Sequence, residues 1–417
     1  MNLALRIEQY LPQQLLRLVR IINGEADKLG RRVYLVGGVV RDMLLGYPNF
    51  DLDLVVEGDA IELAQRVAGI SQAKLAVHPR FGTAKLDYGN FTLDMATTRG
   101  ETYAKSGALP TVTPGSLSDD LFRRDFSINA MAVSLAKDNY GELFDPHHGK
   151  SDLERSFIRI LHPGSFSDDA TRILRAVRYE QRLGFKLESQ TAQLLKRDIP
   201  MLDTISGDRI RHELELIFKE KHPELAIKRL GELEVLQRIN PALRGDGWVA
   251  EKFGKARQLN KPSHLSSLYF CLLIHPLSEK ENERFIHRLN IPAKLSQTLQ
   301  DTICLKSHLS LLDKSPMRHS KIYYLLHEYN PLAIQANAIA SESSTICLNL
   351  ELFLTKLRYV KSSLTGEELK NLGIPAGPKL GKILQMLHKA KLDGEVNTKV
   401  EEEKFAKGRI KEFNPES

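Results

Sequence analysis

The hydrophobic period of this chain changes near residue 150, and that change sets the fold class. Upstream, short apolar runs bounded by turn residues, such as residues 33–36 and 52–56, alternate with stretches of helical spacing. Residues 84–86 and 91–95 flank a turn-forming tetrapeptide, as the two strands of a hairpin would. Downstream, almost every apolar stretch repeats with helical spacing. The sequence therefore predicts an α+β fold, with a small mixed N-terminal sheet covered by helices and an all-helical remainder.

The chain of 417 residues is long enough for several packed units. We predict four of them, over residues 1–148, 149–220, 221–358 and 359–417. In the last unit, Thr365 and Glu368 have the spacing of a capping box, which marks the start of a helix. The residues from about 401 onward carry many charges and few large apolar side chains, which predicts a frayed end.

Several classes of protein are disfavoured by the composition. The longest apolar run, residues 268–274, is far shorter than the roughly 20 residues that cross a bilayer. The N-terminus alternates charges with leucines and lacks the apolar block of a signal peptide. The three cysteines include no C-x-x-C pair, so we expect buried small side chains and neither a disulfide framework nor a thiolate zinc site. These features predict a cytoplasmic protein without a membrane partner.

The charge balance is compatible with a polyanionic partner. Lysine and arginine number 59 against 52 aspartates and glutamates, which gives a net charge of +7. Aromatic residues make up 7% of the chain, and no arginine-rich tract occurs. Any contact with nucleic acid should therefore be a folded surface directed at phosphates, because a row of base-stacking rings is lacking.

A double glycine, Gly37-Gly38, follows the first predicted strand and precedes a predicted helix. Glycines allow backbone N–H groups to approach an anion closely, and Arg41 follows one helical turn later, near where a phosphate at a helix N-terminus would lie. Neither G-x-G-x-x-G nor G-x-x-x-x-G-K-[ST] occurs, which disfavours Rossmann and P-loop folds. The turn is typical of a triphosphate cradle.

Asp51 and Asp53 lie two residues apart on the second predicted strand, so their side chains should project from one face. Two such carboxylates form a site for a hard cation, and a pair of Mg²⁺ ions there would support nucleotidyl transfer. Asp94, on the strand over residues 91–94, is the candidate third carboxylate. Taken separately, the double glycine could be an ordinary tight turn and the two aspartates an exposed strand face. The order and close spacing of the two features favour a site for phosphate and a cation.

Two later motifs concentrate polar groups. Residues 123–129 place two arginines, a carboxylate and an amide together, which suits phosphate contacts and hydrogen bonds to a ribose. A helix predicted from Asp169 would put Arg172, Arg175 and Arg178 on one flank and apolar side chains on the other. By themselves, both features are also compatible with solvated surface.

The motifs LVGGVVRD (residues 35–42), Asp51-x-Asp53 and RRDFSINAMA (residues 123–132) resemble the class II tRNA nucleotidyltransferases, the CCA-adding enzymes, and the related bacterial poly(A) polymerases. The resemblance covers about residues 31–220. It implies a polymerase-β-like catalytic head, a neck that recognises the base, a helical body, and a tail that binds tRNA, matching the four predicted units. It also implies Mg²⁺-dependent addition of CMP and AMP from CTP and ATP to the tRNA 3′-end.

The resemblance further implies residue roles. Gly37, Gly38, Arg41 and Arg124 would contact the nucleotide, and Asp125 and Asn129 would distinguish ribose from deoxyribose. Asp169 and Arg172 would form a protein template for the Watson–Crick edge, with Arg175 and Arg178 supporting the triphosphate or the template. Cytosine and adenine both carry an amine beside an acceptor nitrogen, so one such pair can accept both. The family has Glu-Asp where this chain has Asp168-Asp169, which leaves open how the helix start is held.

Residues 206–214 resemble the family's last motif and are interpreted as a structural brace with Ser206 as N-cap. Residues 99–110 are predicted to be the flexible loop that the family uses to switch from C to A addition, which argues against a CC-adding specialist; an A-adding one stays open. Residues 79–85 lack a basic stretch associated with poly(A) polymerases, which disfavours that alternative. A non-catalytic RNA-binding protein would be expected to lose an acidic residue of the site. Asp51, Asp53 and Asp94 are all present, which disfavours that class. Lys379 and Lys382 are candidate RNA contacts, and the oligomeric state is not predicted.

Overall fold

A computed structural model describes residues 1–102, 104, 107–108, 110–259, 264–314 and 316–413. They form two compact units, Met1–His222 and Pro223–Ser417. Residues 103, 105, 106 and 109 of the predicted switching loop lie outside the described residues. The predicted division into four parts stays a prediction.

The first unit is built on a mixed β-sheet. The strands are β1 (Arg32–Val36), β2 (Leu52–Glu57), β3 (Lys74–His78), β4 (Thr83–Tyr88), β5 (Phe91–Thr97), β6 (Arg99–Thr102), β7 (Thr111–Pro114), β8 (Ala132–Ser134), β9 (Leu143–Phe144), β10 (Phe157–Ile158) and β11 (Lys186–Leu187). Seven of them form one sheet in the order β3-β4-β5-β2-β1-β8-β9. Strand β2 runs parallel to β5 and antiparallel to β1. The predicted α+β fold is therefore confirmed.

Helices cover this sheet and continue beyond it. They are α1 (Ala4–Tyr10), α2 (Gln13–Lys28), α3 (Gly38–Leu45), α4 (Ala60–Ser71), α5 (Leu117–Phe122), α6 (Gly149–Glu154), α7 (Ser165–Asp168), α8 (Thr171–Leu183), α9 (Ser189–Asp198) and α10 (Gly207–Phe218). Local side chains fix several starts: the Asp59 carboxylate accepts from two N–H groups of α4, and Ser116 forms a capping box with Asp119 at α5.

The region after residue 150 is not entirely helical in the first unit. Strands β10 and β11 form a short parallel pair, with Phe157 opposite Lys186 and Ile158 opposite Leu187. Strands of two residues carry too little hydrophobic pattern to be recognised from the sequence.

The second unit is helical throughout its described residues. Its helices are α11 (Pro223–Glu232), α12 (Val235–Ile239), α13 (Gly247–Gln258), α14 (Leu265–Ile274), α15 (Glu279–Arg288), α16 (Ala293–His308), α17 (His319–Leu326), α18 (Pro331–Ala340), α19 (Ser344–Thr355), α20 (Gly366–Asn371), α21 (Pro378–Leu392) and α22 (Lys399–Phe413). The apolar run of residues 268–274 is buried within α14. Among the described residues, no helix is long and apolar enough to span a membrane.

The C-terminal end is more ordered than the sequence predicts. Thr365 and Glu368 form the expected capping box at α20. The predicted frayed end is wrong for residues 401–413, because α22 runs from Lys399 to Phe413, and residues 414–417 lie outside the described residues. Its Glu402 is fully buried and accepts hydrogen bonds from the backbone N–H groups of Ser363 and Leu364 at 2.8 and 3.0 Å. A satisfied buried carboxylate thus holds a helix that has few large apolar residues.

The cysteines follow the prediction only in part. All three are free, and Cys271 is buried in the core, but Cys304 and Cys347 are only half-buried. The expectation that all three would be buried is therefore wrong for two of them.

Candidate active site

The double glycine forms the predicted turn between β1 and α3. Gly37 has φ +74°, a left-handed conformation that favours glycine, and it directly precedes α3. A Cβ atom at Gly37 would lie 2.9 Å from Arg124 Nη1 and 3.7 Å from Asp53 Oδ2. The absence of a side chain therefore lets the turn, a cation and a carboxylate approach one another.

The predicted carboxylates lie on neighbouring strands. Asp53 of β2 is paired in register with Asp94 of β5, so the two side chains share a face of the sheet. Asp51 directly precedes β2, and its Oδ1 accepts a hydrogen bond of 3.1 Å from Thr92 Oγ1. Thr92 is two residues before Asp94 on β5 and shares its face. The prediction that Asp94 ends its strand is wrong, because β5 continues to Thr97.

The electrostatics of this face suit a cation. The Asp53 side chain keeps contact with solvent, yet the surrounding protein displaces enough water to raise its pKa to about 6. The charge of Arg124 opposes this shift, whereas the nearby carboxylates of Asp94 and Asp51 add to it. Carboxylates that lie close together repel one another, and a hard divalent cation, which prefers oxygen ligands, would relieve that repulsion. Within the described ranges, no group of three or more ligating side chains is close enough to hold a metal. The fit of a cation to this site therefore rests on two carboxylates, the predicted pair Asp51 and Asp53.

A pocket of about 680 Å³ opens beside this face. It gathers residues from the sheet, from the motif of residues 123–129 and from α8 and α10, all within the first unit. Its lining includes Gly37, Gly38, Asp53, Glu101, Arg123, Arg124, Asp125, Asn129, Asp169, Thr171, Arg172, Arg175, Tyr179, Asp208, Arg209, His212, Glu213 and Leu216. Nine of the predicted site residues are among them; Asp51, Asp94, Arg41 and Arg178 are not among the described lining residues.

Two adjacent arginines at the pocket are held by one buried carboxylate. Asp120 of α5 is fully buried, and its two oxygens accept hydrogen bonds from Arg123 Nη2 at 2.7 Å and Arg124 Nη2 at 2.9 Å. Arg123 also donates to Glu101 of β6 at 3.2 Å. Asp120 was not among the predicted site residues, although it precedes the two arginines by three and four residues, the spacing of side-chain pairs at a helix end.

Asp125 and Asn129 form a hydrogen-bonded pair on the pocket wall. Asn129 Nδ2 donates to Asp125 Oδ1 at 3.0 Å, and Arg175 donates to Asp125 Oδ2 from Nε at 2.9 Å and Nη2 at 2.6 Å. Burial by itself would raise the pKa of Asp125, but the Arg175 charge and the Asn129 amide outweigh it and hold the pKa below its usual value. The carboxylate therefore stays an acceptor.

Arg41 occupies a different place from the one predicted. Its side chain is buried, and its guanidinium donates to Asp42 from Nε at 2.8 Å and Nη2 at 2.9 Å. Its Nη1 donates to Asn129 Oδ1 at 2.7 Å. Each guanidinium nitrogen is thus engaged inside the protein. In this structure Arg41 orients Asn129, and its predicted direct contact with the nucleotide stays a prediction.

Asp169 lies outside the helix that the sequence analysis assigned to it. Its backbone is extended, with φ −140° and ψ 99°, and α8 begins only at Thr171. Asp169 Oδ1 accepts from the Thr171 N–H at 3.0 Å and from Thr171 Oγ1 at 2.7 Å, which explains how the helix start is held. Its Oδ2 accepts from Arg209 Nη2 at 2.8 Å. The helical angle assigned to Asp169 from the sequence is therefore wrong.

Two arginines of α8, Arg172 and Arg178, are buried and face protein groups, contrary to a solvated surface. Arg172 donates from Nη1 to Ser165 Oγ at 2.6 Å and from Nη2 to the Arg123 carbonyl at 2.7 Å. Arg178 is buried and forms ion pairs with Glu213 at 3.6 Å and Glu220 at 3.4 Å. Arg172 and Asp169 both line the pocket, whereas Arg178 is connected to it through its ion pair with the lining residue Glu213.

Helix α10 contributes more to the pocket than the predicted brace. Five of its residues line the pocket, namely Asp208, Arg209, His212, Glu213 and Leu216. Their spacing of three and four residues places them on one helical face, and that period was a signal the sequence analysis did not use. Ser206 stands at the expected N-cap position, but within the described structure its hydroxyl makes no capping hydrogen bond.

Two sequence-predicted residues belong to the other unit. Lys379 and Lys382 lie near the start of α21, and both are exposed. Their role as RNA contacts stays a prediction.

Two protein families match separate parts of the chain. Residues 33–159 match the family described as poly A polymerase head domain. Residues 184–245 match the family described as probable RNA and SrmB-binding site of polymerase A.

Similar proteins extend these matches over nearly the whole chain. An A-adding tRNA nucleotidyltransferase of Halalkalibacterium halodurans is 35% identical, over 94% of this chain and 92% of that protein. Another, of Geobacter sulfurreducens, is 34% identical over 96% of this chain, which spans only 48% of that relative's length.

Solved structures are similar over the same extent. A CCA-adding enzyme in an apo form has a TM-score of 0.84 at 29% identity, covering 96% of this chain and 97% of that one. The Thermotoga maritima CCA-adding enzyme, solved with tRNA, has a TM-score of 0.78 at 28% identity, covering 98% of this chain and 99% of that one.

Proposed function

Because this chain belongs to the tRNA nucleotidyltransferase family, we propose that it attaches nucleotides to the 3′-end of tRNA, using ATP and CTP without a nucleic-acid template. The observation that carries the proposal is the convergence of a glycine turn, Asp53, Arg124, Asp169 and Arg172 on one pocket of about 680 Å³. This set can contact the phosphates and the base of one nucleotide. The Thermotoga maritima relative, solved with tRNA, supports tRNA as the acceptor.

In the proposed reaction, the tRNA 3′-hydroxyl attacks the α-phosphorus of the nucleotide, a phosphodiester forms, and pyrophosphate leaves. Asp51 and Asp53 would hold a divalent cation, which we propose is Mg²⁺; when bound, it aligns the reacting oxygens and neutralises charge on the pyrophosphate. Asp94, paired with Asp53 across the strands, is the proposed third carboxylate.

The protein's own groups hold the rest of the nucleotide. The start of α3 at Gly38 and the Arg124 guanidinium, which both line the pocket, would contact the phosphates. Asn129, held by Arg41 and Asp125, would present an acceptor and a donor to the ribose hydroxyls, and Asp125, held by Arg175, would fix the orientation of Asn129. Asp169 would accept from the exocyclic amine of cytosine or adenine, and Arg172 would donate to the neighbouring acceptor. Uracil and guanine present the opposite order of donor and acceptor along this edge.

Two specialisations remain as candidates within this function. The A-adding relatives at 34% and 35% identity favour AMP addition to a tRNA that already ends in CC. Full CCA addition is favoured by the chemistry of the pocket, which suits both bases, and by similarity to CCA-adding enzymes over the whole chain. AMP addition is common to both, and we therefore propose it as the core activity.

The test offers three tRNAs, ending at the discriminator base, after CC and after CCA, each with CTP and ATP separately and together. We expect AMP to be added to the tRNA that ends in CC. Addition of C to the first tRNA would extend the activity to full CCA synthesis. Long A-tails on an unrelated RNA would favour a poly(A) polymerase, and inertness with all substrates would favour a binding protein and overturn the proposal.

A further inference from the structure

We infer that Arg209 is a positioning residue that sets nucleotide selection by fixing the carboxylate of Asp169. This inference rests on the proposed base-reading role of Asp169 and extends it to a residue of α10. Arg209 Nη2 donates to Asp169 Oδ2 at 2.8 Å, and both residues line the pocket.

The backbone alone does not orient Asp169. It stands between α7 and α8 in an extended conformation. Its N–H donates to the Ser165 carbonyl at 3.3 Å and its carbonyl accepts from the Arg172 N–H at 3.0 Å, but these backbone hydrogen bonds do not fix the side chain. The χ2 torsion of an aspartate is broad, so its carboxylate plane is set by whatever donates to it. Here the donors come from two sides, Thr171 from two residues ahead and Arg209 from 40 residues further along the chain.

The hydrogen bonds to the Asp169 carboxylate leave few acceptor positions for a base. An ionised carboxylate has about four acceptor positions, two on each oxygen. The N–H and the hydroxyl of Thr171 occupy both positions on Oδ1. Arg209 occupies one position on Oδ2. One acceptor position on Oδ2 therefore remains for the exocyclic amine, and its direction is fixed by the guanidinium beside it.

Loss of Arg209 would change that single position in two ways. Oδ2 would gain a second free acceptor position, and the carboxylate would be held from the Thr171 side alone. The ring N–H of guanine or uracil, or a water molecule that bridges to it, could then be accommodated where only an amine fits now. Discrimination should fall, although the groups that bind phosphate and ribose are unchanged.

The location of Arg209 argues against an ordinary surface ion pair. The side chains of Arg209 and Asp169 are only 31% and 20% exposed. A contact between α8 and α10 themselves, from Arg175 Nη1 to Glu213 Oε1 at 3.6 Å, reinforces the arrangement. The face of α10 that lines the pocket is thus fixed against the segment that reads the base.

The experiment measures kcat/KM for ATP and for GTP with a tRNA that ends in CC, which suits both candidate specialisations. We expect Arg209→Gln to lower the preference for ATP over GTP about tenfold, the scale of one hydrogen bond. Arg209→Lys should restore part of the preference. Arg211→Gln is the matched control, because Arg211 pairs with Asp208 and Glu215 on the same helix and is not among the described lining residues.

A double variant separates positioning from direct contact. If Arg209 acts through Asp169, then Asp169→Asn combined with Arg209→Gln should show the same preference as Asp169→Asn alone. Additive losses would mean that Arg209 contacts the nucleotide itself and would overturn the inference.

Unchanged preference in Arg209→Gln, with altered preference in Asp169→Asn, would also overturn the inference while leaving the proposed function intact. Unchanged preference in Asp169→Asn would remove the proposed template and the inference with it. Thermal unfolding of each variant checks folding; if Arg209→Gln does not fold, Arg209→Met, which also removes the donor, takes its place, and wild-type preference in that variant is the overturning result.

Discussion

Among single residues, Gly37 carries the strongest conformational constraint of the site. Its positive φ and the 2.9 Å approach of Arg124 Nη1 to the position of a Cβ atom leave no room for a side chain without movement. The sequence predicted the turn, because a double glycine after a strand has few other uses. It could not predict which cation would lie against the turn, since Arg124 is distant in the chain.

We expect Gly37→Ala to lower both stability and activity. Alanine at this φ costs roughly 1 kcal/mol, and the displaced Arg124 should raise KM for the nucleotide more than it lowers kcat. Gly69→Ala is the control, because Gly69 lies in α4 with no atom within 4 Å of its Cβ position and should gain stability. Thermal unfolding and steady-state kinetics measure both effects. Equal behaviour of the two variants would contradict this account of the turn.

We also expect Asp53→Asn to reduce transfer by at least about a hundredfold, because the neutral amide is a poor ligand for a hard cation. Binding of tRNA should change little, since Asp53 is proposed to act on the reacting phosphate. Asp87→Asn is the control: it changes an exposed carboxylate on β4, two strands away in the same sheet. Near-normal turnover of Asp53→Asn, measured with saturating divalent cation, would count against the proposed role.

At the scale of elements, local signals in the sequence were sufficient for some boundaries and insufficient for others. The hairpin of β4 and β5 and the capping box of α20 were predictable because their determinants lie within a few residues. The start of α8 was placed two residues early, since the Asp169 side chain caps the helix from outside it. Helix α22 was missed because Glu402 is stabilised by groups about 40 residues away.

The end of α14 supplies a prediction on pH. His275 follows this helix, its ring stacks on Trp248 at 5.6 Å, and its Nε2 lies 3.2 Å from Asn337 Oδ1 of α18. Burial, reinforced by the charges of Lys306 and Lys252, lowers the pKa of His275 to about 4. The unfolded chain, with a histidine pKa near 6.5, therefore binds a proton that the folded chain rejects.

Stability from His275 should be complete above pH 6.5 and should be lost as the pH falls towards 4. Between pH 7 and pH 5, the free energy of unfolding should drop by about 2 kcal/mol from this residue. Denaturant unfolding over that range, compared between wild type and His275→Gln, measures the difference in slope. His287→Gln, which changes an exposed histidine of α15, should keep the wild-type slope. An identical slope in His275→Gln would refute the assignment.

For the whole molecule, the sequence predicted which segments would meet better than it predicted the contacts that hold them together. Motifs in three separate segments lie on one pocket within Met1–His222, which agrees with their order and spacing in the chain. The side-chain hydrogen bonds that orient them, such as Arg209 to Asp169 and Arg41 to Asn129, join residues 40 and 88 positions apart. Such pairs follow from tertiary packing, and no periodicity in a single segment encodes them.

The net charge of +7 leads to a prediction for the full chain. If basic side chains contact the phosphates of tRNA, binding releases counterions, and the logarithm of affinity should fall linearly with the logarithm of salt concentration. With about six phosphate contacts, affinity should drop on the order of a thousandfold between 50 and 200 mM salt. Replacing Lys379 and Lys382 of α21 by alanine should weaken binding and lower the slope by about two. The arginine pair at the same positions keeps the charge and should keep the slope. A flat salt response would exclude phosphate-directed binding, and an unchanged slope in the alanine variant would place the contacts elsewhere on the molecule.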